Sequence, residues 1–281
     1  WRSINSKNKS NWILFGIFSA LGFLSKYLFI YLLAAIFLYF IFNLKNNKKF
    51  IYNYLLSIII SFLILIPHFI WLFENNFVTI LYGLNRSALT EYTWINHLKN
   101  PIIFFIKQSL ILIPFLIMGL ILLNKLKIKL NFRNKKTLFL IFINLIPLLL
   151  VLFTSIIFGA KIRTMWMTPF YLFLGILFID IIKKNINIKK LKFFYITCLL
   201  FFILSPAAYL TISIYDEKKR TDFPGKEIAR LVQNKWNDNF INDIKIVIGD
   251  EWFAGNLSYH LKSRPIWVND LKNKTSMINE N

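Results

Sequence analysis

The chain contains 281 residues, of which 57% are hydrophobic and 17% are charged. This composition excludes intrinsic disorder, which requires low hydrophobicity. It also argues against a soluble enzyme, because soluble domains carry about 25% charged residues. A net charge of +21 would suit a nucleic-acid-binding protein, but the basic residues are confined to short stretches between apolar blocks. We therefore expect membrane lipid, and no nucleic acid, as a partner.

Seven apolar blocks follow one another along the chain, and blocks of about 20 apolar residues match the thickness of a bilayer. The fold class that they indicate is an all-α polytopic membrane protein, with residues 1–214 as its transmembrane domain. The first block is short, since at about 1.5 Å per residue it reaches only about 20 Å. The predicted spans are residues 12–24, 27–43, 51–73, 102–123, 137–158, 166–182 and 193–214.

The loops between these blocks differ in charge. Four of them contain 17 Lys and Arg residues and no Asp or Glu, and strict alternation of seven spans places all four on one side. By the positive-inside rule that side is the cytoplasm. We therefore predict a multi-pass protein of the bacterial inner (plasma) membrane, with its C-terminal tail on the extracytoplasmic side. The four basic stretches are 1–11, 44–50, 124–136 and 183–192.

The tail, residues 215–281, has 11 basic and 10 acidic residues and is nearly neutral. We predict that the tail forms a small α/β domain. Asp222 is expected to cap a helix that begins near Pro224. An apolar stripe then follows in this helix at Ile228, Leu231, Val232 and Trp236. Strands near 244–248 and 265–268 flank a second helix, at 251–261, which predicts a βαβ unit. Asp250 and Glu251 are read as capping residues of that second helix.

Cations close to the outer ends of the spans are unexpected under the positive-inside rule. They are Lys26, Arg86, Lys99, Lys107, Lys161 and Arg163. Lys99 and Lys107 are interpreted as ordinary helix-end cations, which leaves four candidates. Arg presents a planar fork that suits phosphate oxygens, and Lys supplies a compact charge. The four therefore indicate a site for a lipid-linked phosphate or pyrophosphate. Ordinary snorkelling of helix-end cations remains the alternative explanation.

Four further side chains on the outer side are candidates for orienting a substrate. Glu74 and Glu91 flank Arg86, whereas Tyr82 and Trp166 could form an aromatic platform for a sugar ring. Interfacial aromatic belts are the plainer explanation for the rings. The three histidines show no metal-ligand spacing, so we predict no metal site and read each of them as structural: His68, His97 and His260.

Four segments carry a family resemblance. Gly16–Tyr27, with its Leu-Ser-Lys-Tyr end, and Pro67–Trp71, followed by Asn75-Asn76-Phe77 and Arg86, resemble conserved stretches of integral-membrane GT-C glycosyltransferases. The segment Lys161–Tyr171 is similar to a late basic–Trp–x–x–Pro–x–Tyr helix start of the same enzymes. The stretch from Gly249 through Tyr259 to Pro265 resembles their soluble C-terminal part. Within the GT-C glycosyltransferases, the segments resemble the protein O-mannosyltransferases and lipid A aminoarabinose transferases, which are glycosyltransferase families 39 and 83.

The resemblance implies transfer of a sugar from a polyprenyl-phosphate donor, on the outer face of the membrane. The acceptor would be a lipid, a lipopolysaccharide, another glycan or a protein. It also implies a catalytic Asp in an N-terminal extracytoplasmic loop, so we expect no catalytic residue within this chain and only the C-terminal part of such an enzyme. Apart from the donor, no cofactor is indicated and metal dependence stays open. The alternative is a non-enzymatic transporter or flippase of a lipid-linked sugar, which the mostly apolar helix centres disfavour.

Overall fold

The computed structural model describes residues 1–5, 8–44, 48–87, 93–124, 131–183, 185–215 and 222–268. Within these ranges the chain is almost entirely helical. Two 3-10 helices, Thr164–Tyr171 and Ile188–Lys190, separate some of the α-helices. The α-helices are α1 (Arg2–Asn5), α2 (Ser10–Ser25), α3 (Phe29–Leu44), α4 (Lys48–Glu74), α5 (Val78–Arg86), α6 (Asn96–Ile121), α7 (Lys135–Phe158), α8 (Leu174–Ile182), α9 (Leu191–Tyr215), α10 (Gly225–Asn237) and α11 (Phe253–His260), and the strands are β1 (Ile246–Ile248) and β2 (Ile266–Val268).

Six of the seven predicted spans each coincide with a single apolar helix. Among the described residues, four helical segments are long and apolar enough to cross a membrane: Phe50–Glu74, Asn96–Ile121, Lys135–Phe158 and Ile188–Tyr215. The prediction of an all-α polytopic membrane protein is therefore confirmed. The helices α2 and α3 are shorter apolar helices.

The predicted span 166–182 is not one straight helix. It consists of the 3-10 helix Thr164–Tyr171 and α8, which are bent by 52° at a break between them, and it counts as a fifth candidate span only if the pair is taken together. Pro169 lies within the 3-10 part. Proline alone does not account for the break, because α4, α6, α7 and α9 each contain a proline within a continuous α-helix.

The chain divides into two compact units, Trp1–Phe201 and Phe202–Asn281. In the first unit, consecutive membrane helices alternate in direction. The start of α2 packs on the start of α4, with the Trp12 and Phe50 rings 4.8 Å apart. The end of α3 also packs there, since the Phe40 ring is 6.1 Å from Trp12. Helix α3 therefore runs opposite to α2 and α4.

The remaining helices of this unit continue the alternation. Tyr39, near the end of α3, packs on Phe139, near the start of α7, with ring centroids 5.2 Å apart. At the other end Tyr31 donates a hydrogen bond of 2.9 Å to Thr154. The start of α6 lies at the end of α7, because Asn100 Nδ2 donates to the Gly159 carbonyl at 2.6 Å.

We call the end of this unit that contains Trp12, Phe50 and Phe139 the basic end, and the opposite end the Lys26 end. The described parts of the four basic stretches all lie at the basic end. For example, Lys190 Nζ donates to the Leu123 carbonyl at 2.6 Å, and the Asn124 N–H donates to the Asn185 carbonyl at 3.1 Å. The separation of the two sets of loops thus agrees with the predicted alternation.

Helices α2 and α4 approach each other closely at Gly16. A Cβ atom at this position would be 2.5 Å from the Ser57 carbonyl oxygen, so only glycine fits without a shift of the backbone. Ser19 and Ala20 are buried on the same helix. Small residues at such spacing let two membrane helices pack backbone to backbone.

The second unit contains a small two-stranded sheet. Strands β1 and β2 are parallel, with Val247 opposite Trp267, and α11 connects them, which confirms the βαβ arrangement. Ala229 of α10 and Ala254 of α11 pack with Val247 in its core. Asp250 Oδ1 accepts hydrogen bonds from the Trp252 and Phe253 N–H groups, at 2.7 and 2.9 Å, and so caps α11 as expected.

Two details of the predicted tail helix are wrong. Helix α10 begins at Gly225, and the residue before it is Pro224, whose ring cannot accept a hydrogen bond, so Asp222 is not the N-cap residue. Leu231, predicted in the apolar stripe, is exposed, while Ala229 packs in the core together with Val232 and Trp236. The buried side of the helix therefore includes Ala229 in place of Leu231. The division at residues 214 and 215 remains a prediction.

Candidate functional site

Lys26 lies in the short connection between α2 and α3. Its backbone is extended and its N–H donates to the Gly22 carbonyl at 3.1 Å, which ends α2. The Phe29 ring packs over Gly22, 2.5 Å from the position that a Cβ atom would take. Glycine therefore permits the tight connection that places Lys26 at the end of the helices.

The Lys26 side chain is half-buried and reaches across the unit. Its Nζ donates a long hydrogen bond of 3.4 Å to the Trp166 carbonyl oxygen in the 3-10 helix. Burial lowers the pKa of Lys26 below its usual value, because desolvation disfavours the ammonium form. An anion at this position would restore the charged form and gain a charge-assisted contact.

The neighbouring residue, Tyr27, links the connection between α2 and α3 to two further helices. Its hydroxyl lies 2.7 Å from Thr79 Oγ1 of α5 and 2.9 Å from His68 Nε2 of α4. His68 also stacks on Trp71, with 14° between the ring planes. These contacts account for His68 as a structural residue.

Arg86 is the last residue of α5. Its Nε donates to the Tyr82 hydroxyl at 2.8 Å, and its guanidinium carbon lies 5.2 Å from the centre of the same ring. Tyr82 therefore orients Arg86. Thr79 and Arg86 are seven residues apart on one helix, which corresponds to about 10 Å at a rise of about 1.5 Å per residue.

The segment that carries Lys161 and Arg163 is attached to the end of α5. The Lys161 N–H donates to the Ser87 carbonyl at 2.9 Å, and Ser87 follows Arg86 directly. Both Lys161 and Arg163 have exposed side chains. Together with the Lys26–Trp166 contact, this hydrogen bond brings the elements that carry all four predicted cations to the Lys26 end.

The remaining residues that the sequence predicts to contact a substrate are Trp166, Glu74 and Glu91. Trp166 is half-buried, and its backbone oxygen accepts the hydrogen bond from Lys26 Nζ. Glu74 is exposed at the last position of α4. Glu91 lies outside the described residues. No group of three or more His, Cys, Asp or Glu residues able to hold a metal ion occurs in the part of the chain that the structure describes.

Sequence reasoning missed Gln108, which holds the 3-10 helix in place. This α6 side chain is only 2% exposed, and its Nε2 donates to the Thr164 carbonyl at 3.1 Å. Its Oε1 accepts from the Tyr171 hydroxyl at 2.6 Å. The available signal was a Gln within the apolar run of α6, where an unpaired amide would be costly.

Asp180 belongs to a separate contact at the basic end. Its carboxylate accepts hydrogen bonds from Thr137 at 2.5 Å and from Lys183 at 2.8 Å. Thr137 lies in the first turn of α7. Asp180 is thus engaged far from the cations of the Lys26 end, as its position in the sequence indicated.

An apolar groove of about 280 Å³ lies between α3 and α4, toward the basic end. Apolar and aromatic side chains line it, among them Phe37, Tyr54 and Ile58. Such a lining suits hydrocarbon, and it offers no cation to a phosphate.

The fold and these contacts define a helical multi-pass membrane protein in which the elements that carry Lys26, Arg86, Lys161 and Arg163 meet at the Lys26 end. Residues 2–71, about a quarter of the chain, match the family model of dolichyl-phosphate-mannose-protein mannosyltransferases. The match contains Gly16–Tyr27 and Pro67–Trp71 and confirms the resemblance to GT-C glycosyltransferases there. No curated protein and no solved structure matches the chain. The segments Lys161–Tyr171 and Gly249–Pro265 lie outside the matched residues.

Proposed function

We propose that this chain forms part of a membrane glycosyltransferase that uses a polyprenyl-phosphate sugar as donor. Transfer takes place on the extracytoplasmic face, to a lipid, lipopolysaccharide, glycan or protein acceptor. The match of residues 2–71 to a family of membrane mannosyltransferases supports the reaction class. The gathering of the cation-bearing elements at the Lys26 end supports a phosphate as leaving group.

The chemical reason is the charge that develops during transfer. When the bond between the anomeric carbon and the phosphate oxygen breaks, negative charge accumulates on the lipid phosphate. Fixed cations stabilise that charge without reorganisation. Lys26 is held by Trp166, and Arg86 is oriented by Tyr82, so both are positioned before the donor binds.

The acceptor hydroxyl requires a general base. We assign none to the described residues. Asp180 is engaged by Thr137 and Lys183 at the basic end, away from the cations of the Lys26 end. Glu74 and Trp166 are proposed as contacts to sugar or acceptor, and Lys161 and Arg163 as further phosphate contacts. The membrane is proposed to be the bacterial inner membrane, with the Lys26 end outside.

Reconstitution of the complete gene product in liposomes tests the reaction. A polyprenyl-phosphate donor with a labelled sugar is added with a membrane extract that contains acceptors. The proposal expects label in the acceptor fraction and release of polyprenyl phosphate. Movement of intact donor between the leaflets without release would instead identify a flippase and overturn the enzyme assignment.

A further inference from the structure

Helix α5 has an unusual distribution of polar and apolar residues. On a helical projection, Ile80, Leu81 and Leu84 share one face, at the spacing of an amphipathic helix, and Phe77 directly precedes the helix. All four are exposed, with Leu81 the most exposed at 52%. Thr79 and Arg86 project from the opposite face.

The polar face is the one that contacts the protein. Thr79 Oγ1 is bonded to Tyr27 at 2.7 Å, and both Thr79 and Arg86 are half-buried. A surface helix in water shows the reverse order, with its apolar stripe toward the core. The outward apolar face therefore indicates an apolar surrounding rather than water.

The apolar face continues onto a membrane span. The Phe77 ring packs on Phe73 with centroids 4.9 Å apart, and Phe73 is 70% exposed on the candidate span Phe50–Glu74. Asn76 and Phe77 both have positive φ values, of 49° and 54°, which turn the chain sharply between α4 and α5. Exposed side chains at the end of α4 and on the outer side of α5 thus form one surface.

We propose that α5 is an interfacial helix whose outer face is embedded among the acyl chains of the bilayer at the Lys26 end. Lipid is the occupant of this face, because it is continuous with the exposed side of a membrane span. The nine-residue helix is too short to cross a bilayer but long enough to lie in its interface. Hydrogen bonds from Thr79 to Tyr27 and from the Lys161 N–H to the Ser87 carbonyl attach both ends of α5 to the helical bundle. Lipid contact along the outer face therefore sets the depth of the whole helix in the bilayer.

The proposal concerns membrane contact and does not depend on sugar transfer. Its test uses the protein in vesicles of phosphatidylethanolamine and phosphatidylglycerol, with Cys198 replaced by alanine and a spin label attached at L81C or L84C. We expect collisions with oxygen to exceed those with a water-soluble nickel chelate at both positions. The label at Y82C, an exposed position on the same side of the helix as Thr79 and Arg86, should show the opposite order.

Two results would overturn the proposal. If nickel collisions dominate at positions 81 and 84, the face is in water, and if both probes are excluded, another protein surface covers it. A second experiment needs no spin label and compares two variants of Leu81. Leu81→Asp should speed amide exchange across Val78–Arg86 in vesicles, whereas Leu81→Phe should not. Equal exchange in the two variants would also contradict lipid contact.

Discussion

The hydroxyl of Tyr27 lies 2.7 Å from the Thr79 hydroxyl oxygen, across 52 positions of the sequence. This contact joins the connection that carries Lys26 to the helix that carries Arg86. The two cations proposed to bind one phosphate are thereby held on a shared framework rather than on independent loops.

Removing the Tyr27 hydroxyl should loosen α5. A neutral hydrogen bond contributes about 1 kcal/mol, so Tyr27→Phe should raise the amide exchange rate of Val78–Arg86 by roughly fivefold. The matched control is Tyr31→Phe, which removes a hydroxyl bonded to Thr154 in the same bundle and leaves α5 untouched. Equal exchange in α5 for both variants would contradict the role assigned to Tyr27.

Donor binding should depend on pH through Lys26. Burial lowers the pKa of Lys26 in the free protein, and a bound phosphate raises it by favouring the charged form. Affinity is therefore greatest below the lowered pKa and falls as the pH rises through that pKa toward the value in the complex. Titration calorimetry of donor binding should show this fall, and it should be missing in Lys26→Ala. A wild-type profile that matches Lys26→Ala would show that Lys26 does not contact the donor.

The two ends of the bundle should face opposite sides of the membrane. Thr93 at the Lys26 end and Phe132 at the basic end are both exposed. In a background with Cys198 replaced by alanine, an impermeant thiol reagent should label T93C in intact cells. It should label F132C only after the membrane is opened. The reverse pattern would contradict the orientation taken from the basic loops.

Asn144 offers a test of the packing of α7. It is 2% exposed, its Nδ2 donates to the Leu140 carbonyl, and its Oδ1 has no partner among the described residues. Leucine has the same branching and heavy-atom count, so Asn144→Leu should stabilise the bundle by about 1 kcal/mol in reversible unfolding. Gln108→Met should do the opposite, because it leaves the Tyr171 hydroxyl and the Thr164 carbonyl unpaired. A loss of stability in Asn144→Leu would show that the amide oxygen is in fact satisfied.

The apolar helices could be predicted because hydrophobic blocks and basic loops are local signals. The four cations could be singled out for the same reason, since each violates the charge bias of its own loop. The hydrogen bonds that position the elements carrying these cations could not be predicted. The hydrogen bonds between Tyr27 and Thr79 and between Gln108 and Tyr171 form only when distant segments pack together. Many other hydroxyl and amide groups along the chain could have been their partners.

Errors in the tail and in the sixth span have similar causes. Asp222 fits the composition of a helix start, but Pro224 occupies the capping position. The break between the 3-10 helix and α8 falls inside a continuous apolar block, where hydrophobicity gives no boundary. Conformation inside such a block depends on contacts such as that between Gln108 and Thr164, which come from other helices.

The central claim is that Lys26 and Arg86 bind the same phosphate, and a double-mutant cycle on donor affinity tests it most directly. Charge-assisted contacts contribute about 1.5–3 kcal/mol, so Lys26→Ala and Arg86→Ala should each weaken donor binding roughly 10- to 100-fold. Arg133→Ala, an exposed arginine at the basic end, is the matched control and should have little effect. If both residues share one phosphate, the double variant should depart from additivity by about 0.5–3 kcal/mol. Strictly additive losses, or single variants that bind like Arg133→Ala, would contradict a shared phosphate site.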